Sequence, residues 1–346
     1  MKGRSDEMQI VDAHSDYALK TFYDYLNGRK NSLIAHHLPE LKKGGVNIEV
    51  LTVGGDFDLY PGVKNRDPLT VFQIIDTQLQ EIARSQGECI LIRKRSDFEV
   101  NTQLDTIGFM FAIEGAGMIG NDFSILRNYY RLGLRCVMLT HNENNLLADG
   151  CGVKNPQGLT EYGYKFIDEV DELGMVLDVS HISEPSFWDI INNYSDPIIA
   201  SHSNVRNLCD NVRNLTDEQI KAIAEKKGII GINFYGGFID KDMNNVNLER
   251  LIDHIDYIRD LVGISYVGIG PDFLNYVEKD FSKEISKSTL SIGIEPEKVG
   301  HLEDLREVSS LPNLIKRLRA RGYSRDDIRR FMGKNFIQVY KAIFNE

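Results

Sequence analysis

Cysteine is scarce in this chain and widely scattered. Cys89, Cys136, Cys151 and Cys209 include no CxxC pair, which excludes a thiolate zinc cage and offers no disulfide framework; a reducing cytoplasmic location is the expectation. Long apolar runs are also missing. None approaches the roughly eighteen residues a membrane helix needs, and no apolar signal segment leads the polar start, so no membrane partner is expected. The basic stretch Arg93, Lys94 and Arg95 is short, and the net charge is −11, which argues against a nucleic-acid partner. Internal repeats, low-complexity tracts and Pro/Gly-rich linkers are lacking as well. One domain spanning residues 1–346 is therefore the simplest organisation, within the size range of a single large barrel.

What the chain does contain is alternation. Eight short apolar or β-branched runs can be read: Gln9 to Ala13, Val46 to Val53, Thr106 to Ile113, Cys136 to Thr140, Met175 to Ser180, Pro197 to Ser201, Ile229 to Phe234 and Tyr266 to Gly270. Amphipathic stretches lie between them, among them Pro68 to Arg84, Leu159 to Leu173, Thr216 to Lys226 and Leu248 to Leu261. Thr216 and Gln219 are spaced for a capping box, and Gly174, Gly228 and Gly263 are placed to end helices. Strand-helix alternation of this kind means a parallel sheet with crossover helices, either a (β/α)8 TIM barrel or a doubly wound open sheet. Residues 275–310 form a long polar excursion, read as a surface feature in preference to a lid, and 312–344 supply two closing helices.

The ends of the runs favour the barrel. His14 follows the first, Glu114 the third, His141 the fourth, His181 the fifth, His202 the sixth, Tyr235 the seventh and Asp272 the eighth. In a barrel those positions converge on one mouth. His14 and Asp16, two apart on extended backbone, share a face and can share one ion. His181 and His202, separated by one strand-helix-strand step, can share a second. A single strand-end histidine is more often a structural hydrogen-bonding residue than a ligand. Glu114 is harder to set aside, because a carboxylate after the apolar run FMFAI needs a cation to be buried. Imidazole and carboxylate ligands without thiolate suit zinc, cobalt or manganese. The remaining histidines, His36, His37, His254 and His301, fall on helical or loop stretches and receive no role.

The segments VDAHSD, FAIEGAG, LTHNENN, LDVSHIS, ASHSNVRNLCDNVRN, INFY and GIGPDF, followed by LPNLIKRLRARGYS, resemble those of the membrane dipeptidase (renal dipeptidase) family, in order and over roughly Ile10 to Phe344. The resemblance implies a metal-dependent dipeptidase with two zinc-type ions bridged by Glu114. His14 and Asp16 would complete one site, and His181 with His202 the other. It further implies that His141 polarises the scissile carbonyl, Arg213 clamps the substrate carboxylate, Asp272 is the acid/base and Tyr235 positions the substrate. Tolerance of a D-residue on the carboxyl side, β-lactam hydrolysis and a homodimer also belong to that family picture. Two departures stand out: Ser15-Asp16 replaces the usual Asn-Asp, and Leu274-Asn275 replaces the usual Asp-Gly after Asp272-Phe273, which bears on the pocket beside Asp272. The competing enzyme classes are binuclear barrel deaminases, lactonases and phosphotriesterases. Several of those use a carboxylated lysine on the fourth strand, whereas the fourth run here ends in Thr140-His141 with no lysine. A non-catalytic ligand-binding barrel would have lost a ligand or Asp272, and all are present.

Overall fold

The computed structural model describes residues 8–277, 290–294 and 302–345. Nine strands form one all-parallel sheet: β1 (Ile10–Ser15), β2 (Val46–Gly55), β3 (Cys89–Leu91), β4 (Ile107–Glu114), β5 (Leu134–Met138), β6 (Val176–Asp178), β7 (Ile198–Ala200), β8 (Ile229–Ile232) and β9 (Val267–Ile269). Their order is β1-β2-β4-β5-β6-β7-β8-β9, and β3 pairs with β4 off this path. The path curls until β9 lies against β1, with no ladder between those two among the described residues. The fold is thus a nearly closed (β/α)8 barrel, and all eight sequence-read runs are strands of it. β3 was not foreseen: three residues beside a dominant neighbour carry too little periodicity to be read.

Local chemistry accounts for the helices that follow the strands. The helix Pro68–Arg84 starts where Asp67 accepts the Thr70 N–H at 2.9 Å and Pro68 occupies the first turn. Thr216 and Gln219 form the expected reciprocal cap on Asp217–Glu225. Gly174 and Gly263 end their helices with positive φ, but after Asp217–Glu225 that conformation belongs to Lys227 (φ 57°). Gly228 serves a different need: a Cβ there would meet the Ile198 carbonyl oxygen at 2.0 Å. The second of the two closing helices expected over 312–344 is Arg325–Arg329, a π turn at Arg330–Lys334 and Asn335–Ile343 in succession.

Period-two burial divides the core. On β4, Phe109, Phe111 and Ile113 join the apolar layer shared with the surrounding helices. Met110 and Ala112 face inward with Val50, Cys136, Val176 and Ile199, where they meet Phe336, Tyr340 and Phe344 of the C-terminal segment. That segment seals the end of the barrel where the strands begin, since a Cβ on Gly333 would strike the Gln9 carbonyl and one on Gly268 the Phe336 ring. Continuing the inward period along β4 brings Glu114 to the opposite end, the mouth. Of the expected excursion 275–310, residues 278–289 and 295–301, His301 included, lie outside the described residues. The piece 290–294 returns to the mouth, where Ile292 and Ile294 are buried against Tyr235 and Phe238.

Candidate active site

Glu114 is 3% exposed, and its Oε1 is the point on which the mouth converges. His181 Nε2 lies 2.8 Å from it, His202 Nε2 3.4 Å, His14 Nε2 3.7 Å and His141 Nε2 4.0 Å. His14 Nε2 is also 3.9 Å from both Asp16 Oδ1 and Asp272 Oδ1. The side chains therefore form three overlapping groups within reach of a cation: His14 with Glu114 and His202, Glu114 with His141 and His181, and His14 with Asp16 and Asp272. The sequence had paired His181 with His202, and their Nε2 atoms do meet at 2.9 Å.

These imidazoles are aimed by partners that the run-end reading did not identify. Asn142 Oδ1 sits 2.8 Å from His181 Nδ1 and Ser201 Oγ 2.7 Å from His202 Nδ1, which leaves the Nε2 atoms turned to Glu114. Asp178, buried at the end of β6, accepts the N–H groups of Ser180 and Ser201 and so pins the backbone beside both histidines. Asn233 donates to Asp272 Oδ2 at 3.1 Å and accepts the Tyr235 N–H at 2.6 Å. The sequence does carry a signal for these groups, since each lies within three residues of a residue singled out above. Two site residues also carry backbone strain: His181 (φ 66°) and Asp272 (φ 58°) occupy the left-handed region that non-glycine residues seldom adopt.

Electrostatics at the mouth are unbalanced. Burial pushes the Glu114 carboxyl well above the usual carboxylate range, with repulsion from Asp16 and Asp272 adding to it. Asp16 moves the same way, through burial and then Asp272. Burial also holds His14, His181 and His202 in the neutral form and lowers His141 to about 3. Neutral imidazoles with open Nε2 lone pairs beside crowded carboxylates make a donor set that divalent cations would satisfy at once. His14 supports the fit, because neither of its buried ring nitrogens has a hydrogen-bond partner.

Above the cluster is a cavity of about 230 Å³. Arg213 lines it while only 3% exposed, with one guanidinium nitrogen donating to the His202 carbonyl at 3.1 Å and the group stacked over Phe238 at 5.4 Å. Its Nε has no partner, which sets it apart from an ordinary surface arginine. Tyr235 is buried in the same wall, its ring 5.1 Å from Phe238, and Ile292 packs with both and also lines the cavity. His37 and His254 stand away from this cluster in structural roles, His37 against Glu49 at 2.8 Å and His254 between the Val205 N–H and the Ile239 carbonyl. Among the described residues no helix is long and apolar enough to cross a membrane.

Comparison with known proteins points the same way as the geometry. Dipeptidase tcpJ of Claviceps purpurea is 26% identical over 346 residues, covering 99% of this chain and 76% of the relative. A Klebsiella pneumoniae protein named for its place in the pqqA 5′ region is 30% identical over 290 residues, 81% of this chain and 98% of its own. In three dimensions the chain is similar to an amidohydrolase from Pseudomonas aeruginosa, with TM-score 0.82, 21% identity and coverage of 99% and 98% of the two chains. It is equally similar to a metallo peptidase from Rhodobacter sphaeroides, solved with a phosphinate mimic of the dipeptide L-Ala-D-Ala, with TM-score 0.81, 22% identity and coverage of 97% and 99%. The sequence pattern of the family described as Membrane dipeptidase (Peptidase family M19) matches residues 5–287, and this chain belongs to that family.

Proposed function

We propose that this enzyme hydrolyses dipeptides with two divalent cations, zinc ahead of cobalt or manganese, held by His14, Asp16, Glu114, His181 and His202. The observation that carries this reading is the convergence of four imidazoles on one buried carboxylate oxygen at the floor of a small cavity that also holds a buried guanidinium. When bound, such ions supply a hydroxide near neutral pH and a Lewis-acid contact for the carbonyl.

The protein's own groups do the rest. Arg213 receives the substrate α-carboxylate through its unpartnered Nε and a neighbouring guanidinium nitrogen, a bidentate geometry that limits substrates to those ending one residue past the scissile bond. Tyr235 and Phe238 wall the same end. His141, held neutral by burial, donates to the carbonyl oxygen as charge develops there. Asp272, with Oδ2 fixed by Asn233 and its side chain 18% exposed, takes a proton from the attacking water and passes it to the leaving amine. The Rhodobacter sphaeroides peptidase bound to an L-Ala-D-Ala mimic supports including dipeptides with a carboxyl-side D-residue. A homodimer in the reducing cytoplasm is the setting we assign to it.

A stereochemically complete dipeptide panel on protein of known metal content tests this. Hydrolysis should disappear on removal of the metal by a chelator and return with zinc. Protein carrying two ions that cleaves lactones or phosphotriesters and no dipeptide would overturn the reading.

A further inference from the structure

A dipeptidase must recognise two free ends, and Arg213 accounts for only one. The other end carries an α-ammonium, which cannot enter a confined cavity without an anionic partner. Arg213 follows β7 and Tyr235 follows β8, so a dipeptide clamped there extends across the mouth toward the ends of β2, β4 and β5. Six carboxylates line the cavity: Asp16, Asp56, Asp58, Glu114, Glu143 and Asp272. Asp16, Glu114 and Asp272 are engaged with the histidine cluster. Asp58 and Glu143 are exposed rim groups that face Arg66 at 3.6 and 3.9 Å. Asp56 remains.

Asp56 is also built into its place. It directly follows β2, its N–H donates to the Glu114 carbonyl at 3.0 Å, and the adjacent Phe57 ring is 5.1 Å from that of His141. Its Oδ2 accepts from Asn145 Nδ2 at 2.7 Å and from the Gly117 N–H at 3.3 Å. Asn145 is itself fixed by the Leu139 carbonyl and the Leu147 N–H. Gly115 and Gly117 leave the room: a Cβ on either would come within 2.7 or 2.5 Å of the Asp56 carboxylate. None of these contacts neutralises the charge.

We propose that Asp56 receives the free α-ammonium of the substrate, so that it and Arg213 measure the length of a dipeptide from opposite sides of the mouth. This rests on the dipeptidase reading above. The carboxylate binds and orients the amino end and takes no part in proton transfer.

The test compares alanyl-alanine with propionyl-alanine, which lacks only the amino group. For the wild-type metal-loaded enzyme the expected kcat/KM ratio is about tenfold to a hundredfold in favour of the free amine, the usual weight of a hydrogen bond to a charged group. In Asp56→Asn, whose amide oxygen can still accept from Asn145 and Gly117, the alanyl-alanine value should fall by that factor. The propionyl-alanine value should stay within about threefold, so that selectivity disappears at unchanged metal content. Arg213→Ala should weaken both substrates alike. A wild-type enzyme that cleaves both equally well, or an Asp56→Asn variant that keeps the ratio or loses both activities together, overturns the assignment while leaving the dipeptidase reading intact. Cleavage of neither substrate by protein with two ions bound removes both. Should Asp56→Asn not fold, the wild-type ratio is measured with the rim neutralised by Asp58→Asn and Glu143→Gln. Persistence then supports Asp56, and a ratio near one overturns it.

Discussion

The two ends of this barrel are built on opposite principles. Where the strands begin, Phe336, Tyr340 and Phe344 fill the interior with aromatic surface, packed so closely that Gly268 and Gly333 cannot carry a Cβ. Where the strands end, the same inward-facing positions carry Glu114 and the buried groups behind His181 and His202, with left-handed φ at His181 and Asp272. One end gains by excluding water from apolar surface. The other holds buried carboxylates whose charged form is disfavoured and, at His14, an imidazole with neither ring nitrogen partnered. The lesson is that a single sheet can carry stability at its floor and reactivity at its mouth, since a strand passes from one to the other within a few residues.

Perturbing each end separately sharpens this contrast. The largest effect belongs to the mouth: Glu114→Gln should lower dipeptide turnover by about a thousandfold or more by removing the shared carboxylate, and metal analysis should find fewer than two ions per chain. The metal-free variant should melt no lower than the metal-free parent, because the amide replaces a carboxyl whose charged form burial, Asp16 and Asp272 already disfavour. A parent-like metal content and rate would erase the distinction between the ends. At the floor, Phe336→Ala should cost about 3–5 kcal/mol in denaturant unfolding while leaving kcat unchanged in the temperature range where the variant stays folded. A kcat loss matching that of Glu114→Gln would mean the two ends are not separable.

The smallest effect comes from the buried imidazole that ties the Arg213 loop to the helix Gly236–Ile239. Burial lowers His254 from its ordinary 6.5 to about 4. The unfolded chain therefore binds more protons than the folded one between those values, so stability is present above about pH 6.5 and declines as the pH falls toward 4. The expected contribution is on the order of 1–3 kcal/mol, read as the difference in pH dependence of unfolding between the parent and His254→Gln. Identical pH profiles would sink the assignment.

Much of this site is legible in the sequence. Each of His14, Glu114, His141, His181, His202, Tyr235 and Asp272 follows an apolar run, and the structure brings them to one mouth. Arg213 came from the family resemblance alone, since nothing in its polar loop distinguishes it until Phe238 and the His202 carbonyl are seen around it. Asn142, Asp178, Ser201 and Asn233 escaped notice because their roles depend on hydrogen-bond partners brought close by folding. β3 escaped because it is too short for a period to register.

By itself the sequence determined the alternation of strand and helix, the caps, and the set of side chains delivered to the strand ends, because periodicity and turn chemistry act within a few residues of the chain. Only the tertiary structure decided that four imidazoles face the same oxygen of Glu114, that Arg213 and Asp56 line opposite walls, and that an aromatic segment closes the floor. Those distances follow from strand order and the curl of the sheet, which depend on how all eight units pack against one another.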